Sequence, residues 1–178
     1  MSPALVSTII RARLPGLHFA RPARDLTMLP ADCQCFVLNL ARAPQRLAAM
    51  QQRLQALGIP FTRIEGVDGA TLPEAARAAL TRINRYYKPL RPGEVGCYLG
   101  HVQALRSFLA TSAEFLLLLE DDACFVDGFA DALHAALALR RNETDTRRQW
   151  DVLKLCNPRR RWLPLAALTA RHCLVEYG

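Results

Sequence analysis

Short apolar runs alternate with amphipathic segments along most of this chain. The runs have the length of strands, whereas apolar residues between them recur every three or four positions, as on one face of a helix. The predicted strands are CFVLNL, FTRIE, FLLLL and WDVLKL, at residues 35–40, 61–65, 115–119 and 150–155. Because strands alternate with helices, the pattern predicts an α/β fold whose sheet is covered by helices on both faces.

Helices are predicted between these strands from start signals and apolar stripes. Pro44 opens the first helix in its first turn, and Gly58 closes it. Thr71 and Glu74 have the spacing of a capping box before an Ala-rich helix. Asp127 is the expected N-cap of the helix that follows the FLLLL strand. The expected buried positions are Leu47, Met50, Leu54 and Leu57 in the first helix and Val95, Leu99, Val102 and Leu109 in the helix from Pro92.

The N-terminal segment differs from the rest of the chain. It contains prolines and scattered arginines without a sustained period, so we expect residues 1–32 to form a basic arm and residues 33–178 to form the domain. No apolar run approaches the ~18 residues of a membrane span. The apolar segment at residues 4–10 also lacks the preceding charge of a secretory signal. The chain is therefore expected to be cytoplasmic.

Composition adds a basic surface and six thiols. The 178 residues carry a net charge of +7, supplied almost entirely by arginine. Such a surface attracts nucleic acid, anionic lipid headgroups or phosphorylated substrates, and codon usage in a GC-rich genome explains the bias equally well. No nucleic-acid-binding module is recognisable, so no nucleic-acid partner is expected. None of the six cysteines belongs to a CxxC pair, and all are expected to be buried, reduced thiols.

Three carboxylates, Glu120, Asp121 and Asp122, follow the most apolar strand directly. Three adjacent acids repel one another, and none can be buried without a partner. At the carboxyl end of a strand they reach the edge where α/β sheets bind ligands. Alternation along an extended segment predicts Glu120 and Asp122 on one side and Asp121 on the other. The pair Glu120 and Asp122 would suit Mg²⁺ or Mn²⁺; the alternative is a solvated turn capped by Asp122.

Two families have a strand that runs into acidic residues. A response-regulator receiver domain also needs a phosphoacceptor aspartate after a later strand, where this chain has Lys154, Leu155 and Cys156, so it is kept as a minor alternative. Five segments together resemble glycosyltransferase family 25, which includes lipooligosaccharide galactosyl- and glucosyltransferases and collagen galactosyltransferase domains. In the family's order over residues 34–156, they are CFVLNLARAPQR, LGIPFTRIEGVDG, LRPGEVGCYLGH, FLLLLEDDACF and WDVLKL.

The resemblance implies a GT-A-like, Rossmann-type nucleotide-sugar-binding fold with a mixed sheet. It implies metal-assisted, inverting transfer of galactose or glucose from a UDP-sugar to a lipooligosaccharide or lipopolysaccharide core, with Mn²⁺ or Mg²⁺ held by Glu120 and Asp122. The base that takes the acceptor proton stays open between Glu94, Asp121 and acids beyond residue 178. The implied donor-binding residues are Asn39, Leu40, Arg42, Arg46, Asp68, Gly69 and His101.

Simpler interpretations of some of these residues stay open. Arg46 fits a surface arginine equally well, Asp68 and Gly69 fit an ordinary turn, and a lone histidine such as His101 is more often structural. Gly100 stands where the family pattern has serine, so this chain lacks that hydroxyl.

The C-terminal end departs from the family pattern. Family members continue past the last predicted strand, so we expect the C-terminal part of the family domain to be missing, and a catalytically inactive nucleotide-sugar-binding remnant is the second hypothesis. Residues 159–161 and Trp162 place three arginines beside an aromatic ring and could meet a phosphorylated lipid-sugar acceptor, although a solvated loop is favoured. With such an acceptor, the protein would touch the anionic inner face of the inner membrane.

Overall fold

A computed structural model describes residues 7–11, 29–83, 88–144, 150–155, 163–167 and 173–176. The strands are β1 (Ser7–Arg11), β2 (Cys33–Asn39), β3 (Thr62–Glu65), β4 (Phe115–Glu120), β5 (Val152–Lys154), β6 (Leu163–Ala167) and β7 (Cys173–Glu176). The helices are α1 (Pro44–Ala56), α2 (Glu74–Thr81), α3 (Pro92–Leu109) and α4 (Phe129–Asn142). Among the described helices, none combines the length and the hydrophobicity that crossing a lipid bilayer demands.

The main sheet is mixed, with strand order β3-β2-β4-β1-β5. Strand β2 is parallel to both β3 and β4, so these three strands end at the same edge. The register pairs Asn39 with Glu65 and Leu38 with Glu120 at that edge. Strand β1 is antiparallel to its neighbours β4 and β5, and β6 with β7 forms a separate two-stranded antiparallel sheet.

Strand β1 comes from the segment that the sequence pattern assigned to an arm. Its sequence, STIIR, contains three consecutive β-branched residues, which suit a strand. A strand of five residues, with no periodic pattern on either side, is too short to predict from hydropathy. Its partner β4 also lies more than 100 residues further along the chain. The sheet is therefore not built from residues 33–178 alone. The remainder of the predicted arm, residues 1–6 and most of 12–32, lies outside the described residues.

Helices cover both faces of the sheet, as the pattern predicted. Side chains of β4 alternate between two apolar clusters, because successive residues of a strand point to opposite faces. One cluster joins Phe115, Leu117 and Leu119 to α1 and α4. The other joins Leu116 and Leu118 to Ala104 and Phe108 of α3. All five of these strand residues are at most 2% exposed, so β4 is the buried central strand.

The four predicted strands and four predicted helices all exist, but two predicted helix caps are wrong. Helix α2 begins at Glu74, and the Thr71 hydroxyl donates to the Asp68 carbonyl at 2.9 Å instead of capping the helix. The reason is Pro73, because the residue before a proline is disfavoured from helical conformation. Helix α4 begins one residue later than Asp127 would allow, after Gly128 at φ 79°. That left-handed conformation is one that glycine adopts easily.

The buried face of α3 is also different from the predicted stripe. Of the four residues expected there, only Val95 is buried, and Leu109 is 63% exposed. The residues that do face the sheet are mostly small and recur every four positions: Gly96, Gly100, Ala104 and Phe108. A stripe of small residues lets the helix backbone come close to its neighbours, which hydropathy alone does not reveal.

Candidate functional site at the carboxyl edge of the sheet

The carboxyl ends of β2, β3 and β4 open into a cleft of about 180 Å³ against the first half of α3. The cleft is lined by Leu38, Asn39, Leu40, Arg42, Arg46, residues 66–69, Gly93, Gly96, Cys97, Gly100, His101, Glu120 and Asp121. All seven residues that the sequence suggested for donor binding lie in this lining. Asp122 and Glu94 do not.

One wall of the cleft is made by direct backbone packing between α3 and the loop after β3. A Cβ atom on Gly96 would lie 2.3 Å from the Val67 carbonyl oxygen. A Cβ atom on Gly69 would lie 1.7 Å from the Pro92 carbonyl oxygen. Neither position has room for a side chain, so the two glycines are what allow the helix to close this side of the cleft.

Asn39 and Asp121 form the buried floor. Asn39 is 3% exposed and Asp121 is 6% exposed. The Asn39 amide Nδ2 donates to Asp121 Oδ2 at 2.7 Å and to the Ala43 carbonyl at 3.0 Å. Asn39 Oδ1 accepts from Arg63 Nε at 3.1 Å. The side-chain amide is thus fully used within the protein, and it positions the carboxylate. Arg63 was missed from sequence because it alternates along β3 like any exposed strand residue.

Arg46, in the first turn of α1, holds two of the three acids. Its NH2 group contacts Asp121 Oδ1 and lies 3.0 Å from Asp122 Oδ2. Arg46 thus bridges Asp121 and Asp122, a contact that strand alternation did not predict. The cause is that β4 ends at Glu120 and a turn follows, so strand alternation no longer applies. Asp122 Oδ1 is buried without a hydrogen-bond partner among the described residues.

Glu120 points towards α3. Its Oε1 lies 3.7 Å from Cys97 Sγ and 3.8 Å from His101 Nε2. Burial raises the pKa of the Glu120 carboxyl, the charges of Asp122 and Asp121 raise it further, and His101 partly opposes them. Burial is therefore the main reason why the ionised form of Glu120 is disfavoured, and a cation beside the carboxyl would stabilise that form.

Asp68 sits at the rim with Arg42. Arg42 Nε donates to Asp68 Oδ2 at 2.7 Å, and the Ala70 N–H donates to Oδ1 at 3.1 Å. The hydrogen bond from Arg42 is the main cause that lowers the pKa of Asp68, with the Ala70 amide second. The rim thus offers a carboxylate that stays ionised and an arginine 69% exposed at its side chain.

Glu94 has a structural task at the start of α3. Its Oε2 accepts from the Arg91 N–H at 2.7 Å, and its Oε1 lies 3.3 Å from Lys88 Nζ. The bond from the Arg91 amide, followed by Lys88, lowers the pKa of Glu94. A carboxylate that caps a helix and has a lowered pKa is a weak general base.

The prediction that all six cysteines are buried is wrong for two of them. Cys33 and Cys35 are buried in the core, whereas Cys97 and Cys124 are exposed. Cys97 lies on the cleft side of α3. Cys156 lies outside the described residues, and so does the side chain of Cys173.

Sequence similarity to known proteins covers the part of the chain that forms the cleft. Residues 32–157, which contain β2 to β5 and the whole cleft, match the family described as glycosyltransferase family 25 (LPS biosynthesis protein). The chain belongs to glycosyltransferase family 25. The predicted resemblance is confirmed, and the receiver-like alternative is dropped. The mixed α/β sheet with a small parallel part is compatible with a Rossmann-like glycosyltransferase domain.

Among the family 25 relatives is the Mus musculus protein named "Inactive glycosyltransferase 25 family member 3", 30% identical over 149 residues, which are 80% of this chain and 24% of that protein. The Homo sapiens "Procollagen galactosyltransferase 2" is 28% identical over 127 residues, 67% of this chain and 20% of that protein. This chain thus spans about a quarter of the length of the curated relatives it matches. No solved structure matches it.

Proposed function

We propose that the cleft binds a UDP-sugar and that the protein is a hexosyltransferase using galactose or glucose. The observation that carries this proposal is the convergence of polar groups from β2, α1, the loop after β3, α3 and β4 on one cleft at the carboxyl edge of the sheet. That edge is where open α/β sheets bind nucleotides. Membership of a glycosyltransferase family supports sugar transfer as the chemistry.

The proposed donor contacts follow from the chemistry of the lining. Asp68, with its lowered pKa, can accept hydrogen bonds from ribose hydroxyls or from the uracil N–H. Gly69, which has no side chain to block it, lets a ligand approach the loop backbone. Arg42 and Arg46 lie near the start of α1, where guanidinium groups and free backbone N–H groups can hold diphosphate oxygens. Asn39, Leu40 and His101 would shape the floor and opposite wall.

A divalent cation, Mn²⁺ or Mg²⁺, fits the oxygen donors here. Glu120 and Asp122 would hold it, and the unpartnered Asp122 Oδ1 is an oxygen ligand available without breaking a hydrogen bond. When bound, such a cation neutralises charge on the departing diphosphate.

The general base is proposed from position. Asp121 lines the cleft and Glu94 does not, so Asp121 is the candidate within reach of an acceptor hydroxyl. Arg46 contacts Asp121 Oδ1, so this oxygen would accept a proton from an acceptor hydroxyl only once that contact loosens. We propose a lipooligosaccharide or lipopolysaccharide core as acceptor, in line with the family description, and with it a cytoplasmic location at the inner face of the inner membrane. The human relative's name points to procollagen instead.

A second candidate function is donor binding without transfer. Arg46 already pairs with two of the three consecutive acids at the end of β4, which is what a site that has lost its catalytic use would tolerate. The mouse relative named inactive favours the same alternative.

Thermal unfolding with UDP and Mn²⁺ tests the binding proposal. A ligand that binds only the folded state stabilises it by about 2.7 kcal/mol at ~100 times the dissociation constant. Asp122→Asn should lose the Mn²⁺-dependent part of that gain, whereas Asp131→Asn, on α4 away from the cleft, should keep it. No stabilisation of the parent by UDP, with or without Mn²⁺, would refute both candidate functions.

Transfer assays then separate the two candidates. The chain, Mn²⁺ and UDP-galactose or UDP-glucose would be incubated with a deacylated lipooligosaccharide core and, in parallel, with a collagen peptide. Product in either arm supports the transferase and identifies the acceptor class. Binding of UDP without product in both arms, and with no more than slow hydrolysis of the donor, supports the inactive alternative.

A further inference from the structure

We propose that Cys97, His101 and Glu120 form a binding site for Zn²⁺ or a similar transition-metal cation. This site shares Glu120 with the proposed Mn²⁺ site but differs from it in its other ligands and in metal preference. One ligand atom from each of the three residues lies within 4.8 Å of the others. The cluster needs no nucleotide, so this inference stands independently of the proposed function.

The fold brings the three ligands together from two elements. Cys97 and His101 are four residues apart on α3, a spacing that puts both on one face of a helix. Glu120 is the last residue of β4 and projects towards α3 from the sheet below. Glu120 Oε1 lies 3.7 Å from Cys97 Sγ and 3.8 Å from His101 Nε2. Zinc bonds of about 2.0–2.3 Å in tetrahedral geometry need ligand atoms about 3.3–3.6 Å apart, so only small movements are required.

The hydrogen bond made by His101 prepares the ring for a metal. Nδ1 lies 2.9 Å from the Cys97 carbonyl oxygen. A carbonyl can only accept, so Nδ1 carries the hydrogen and Nε2 is left to face Glu120 Oε1 at 3.8 Å. Metal-bound histidines commonly donate their other ring N–H to a backbone carbonyl in this way, which sets the tautomer. Without a metal, the same pair is held by a proton between Nε2 and Glu120 Oε1, so an ion pair or hydrogen bond between the two groups is the competing interpretation.

The ligand types select the metal. A thiolate and an imidazole favour Zn²⁺ or Co²⁺, whereas Mg²⁺ and Mn²⁺ prefer oxygen ligands. Three protein ligands leave a fourth tetrahedral position for water or a bound molecule. The cluster is also accessible: Cys97 is exposed, and the side chains of His101 and Glu120 are 28% and 27% exposed. Glu120 belongs to both proposed sites, so Zn²⁺ at the cluster should interfere with Mn²⁺ in the cleft.

Co²⁺ provides a direct probe, because a cobalt–thiolate bond gives a charge-transfer absorption band that oxygen and nitrogen ligands do not. The parent chain should show this band with Co²⁺, and Zn²⁺ should displace it. Cys97→Ser should abolish the band and weaken Zn²⁺ binding by at least about 100-fold, since loss of even an outer partner of a metal ligand costs ~10–100-fold. Cys124→Ser removes the other exposed thiol of the described residues and is the matched control. It should leave both readouts unchanged.

Two further variants distinguish this site from its rivals. Asp122→Asn should lose Mn²⁺-dependent UDP binding but keep the cobalt band, and Glu120→Gln should weaken both. Near-ultraviolet circular dichroism would confirm that each variant is folded. Absence of the band in the parent, or its survival in folded Cys97→Ser, would overturn the proposal and leave the His101–Glu120 ion pair as the interpretation. Failure of UDP binding with the band intact would overturn the proposed function alone.

Discussion

The amide of Asn39 donates a 2.7 Å hydrogen bond to the buried carboxylate of Asp121, which lies 82 residues further along the chain. The bond joins the ends of β2 and β4 at the floor of the cleft. A second link, from the Asp121 N–H to the Leu38 carbonyl at 3.1 Å, runs beside it. Together the two hydrogen bonds hold the turn after β4 against the end of β2.

Replacement of Asn39 should therefore cost stability in a pH-dependent way. Asn39→Ala leaves the buried carboxylate short of a donor and should lower the free energy of unfolding by about 1–3 kcal/mol. Asn39→Asp places two carboxylates together, which raises the pKa of the pair in the folded state. A raised folded-state pKa means that stability present at low pH is lost as the pH rises.

Urea unfolding at pH 5 and pH 8 measures this difference. At pH 5, the free energy of unfolding of Asn39→Asp should be close to that of Asn39→Ala. At pH 8, Asn39→Asp should be clearly less stable than Asn39→Ala. Gln51→Ala, at an exposed position of α1, should change the free energy of unfolding by no more than about 0.5 kcal/mol. An equal loss for Asn39→Asp at both pH values would show that Arg46 already neutralises the added charge.

Removal of Arg46 should make the protein depend on a divalent cation. The guanidinium is half exposed but contacts the buried Asp121 and also Asp122. Arg46→Gln should lower the free energy of unfolding by ~1–3 kcal/mol, between the values for exposed and buried ion pairs. Millimolar Mn²⁺ should then raise the melting temperature of the variant more than that of the parent. Arg106→Gln, exposed on α3, is the control. A smaller Mn²⁺ response in Arg46→Gln than in the parent would contradict this account.

The glycines of α3 should differ sharply in their tolerance of alanine. Gly96→Ala drives a Cβ atom to 2.3 Å from the Val67 carbonyl oxygen, so backbone must move and the cleft wall must open. We expect a loss of at least ~2 kcal/mol. Gly93→Ala meets nothing within 4 Å in the same helix and should be neutral or slightly stabilising. Thermal unfolding of the two variants side by side measures the contrast, and equal stability would show that α3 can shift freely.

The thiols should fall into two reactivity classes. Burial, with Asp32 next, raises the pKa of Cys33 to about 12, and burial also raises that of Cys35. Neither should react with a thiol reagent at pH 8 until the protein unfolds. Cys124 should react readily and Cys97 more slowly, because burial and Glu120 raise the pKa of Cys97. Mass spectrometry of the modified peptides resolves the sites, and fast labelling of Cys33 or Cys35 in the folded protein would contradict the core described here.

The same two buried thiols predict loss of stability at alkaline pH. In the unfolded chain they ionise near pH 8.5, but in the folded protein Cys33 does so only near pH 12. The unfolded state therefore binds fewer protons in this window, and the free energy of unfolding falls as the pH rises. A Cys33→Ala, Cys35→Ala double variant should be less stable at pH 7 and show a shallower alkaline decline. If the free energy of unfolding of the double variant falls as steeply with pH as that of the parent, other titrating groups cause the alkaline loss of stability.

Several features of the site could be read from the chain without its structure. FLLLL is an unbroken apolar run, which marked β4 as buried on both faces, and the acids after it had to emerge at a sheet edge. The ordered motifs over residues 34–156 were sufficient to indicate the family. Local signals failed where a neighbour overrode them, as Pro73 did for the Thr71 cap and Gly128 for the Asp127 cap.

The sequence by itself determined the alternation of strands and helices, the edge at which the acids stand and the family to which the chain belongs. These properties depend on residue order and on periodicity, which are local. Only the tertiary structure decided that Asp121 and Asp122 share Arg46 while Glu120 joins Cys97 and His101. Only the tertiary structure shows that β1 lies between β4 and β5 in the sheet. The physical reason is that contacts across the sheet depend on strand register, on the turn that ends β4 and on how closely Gly96 lets α3 approach, and none of these is encoded within a single segment.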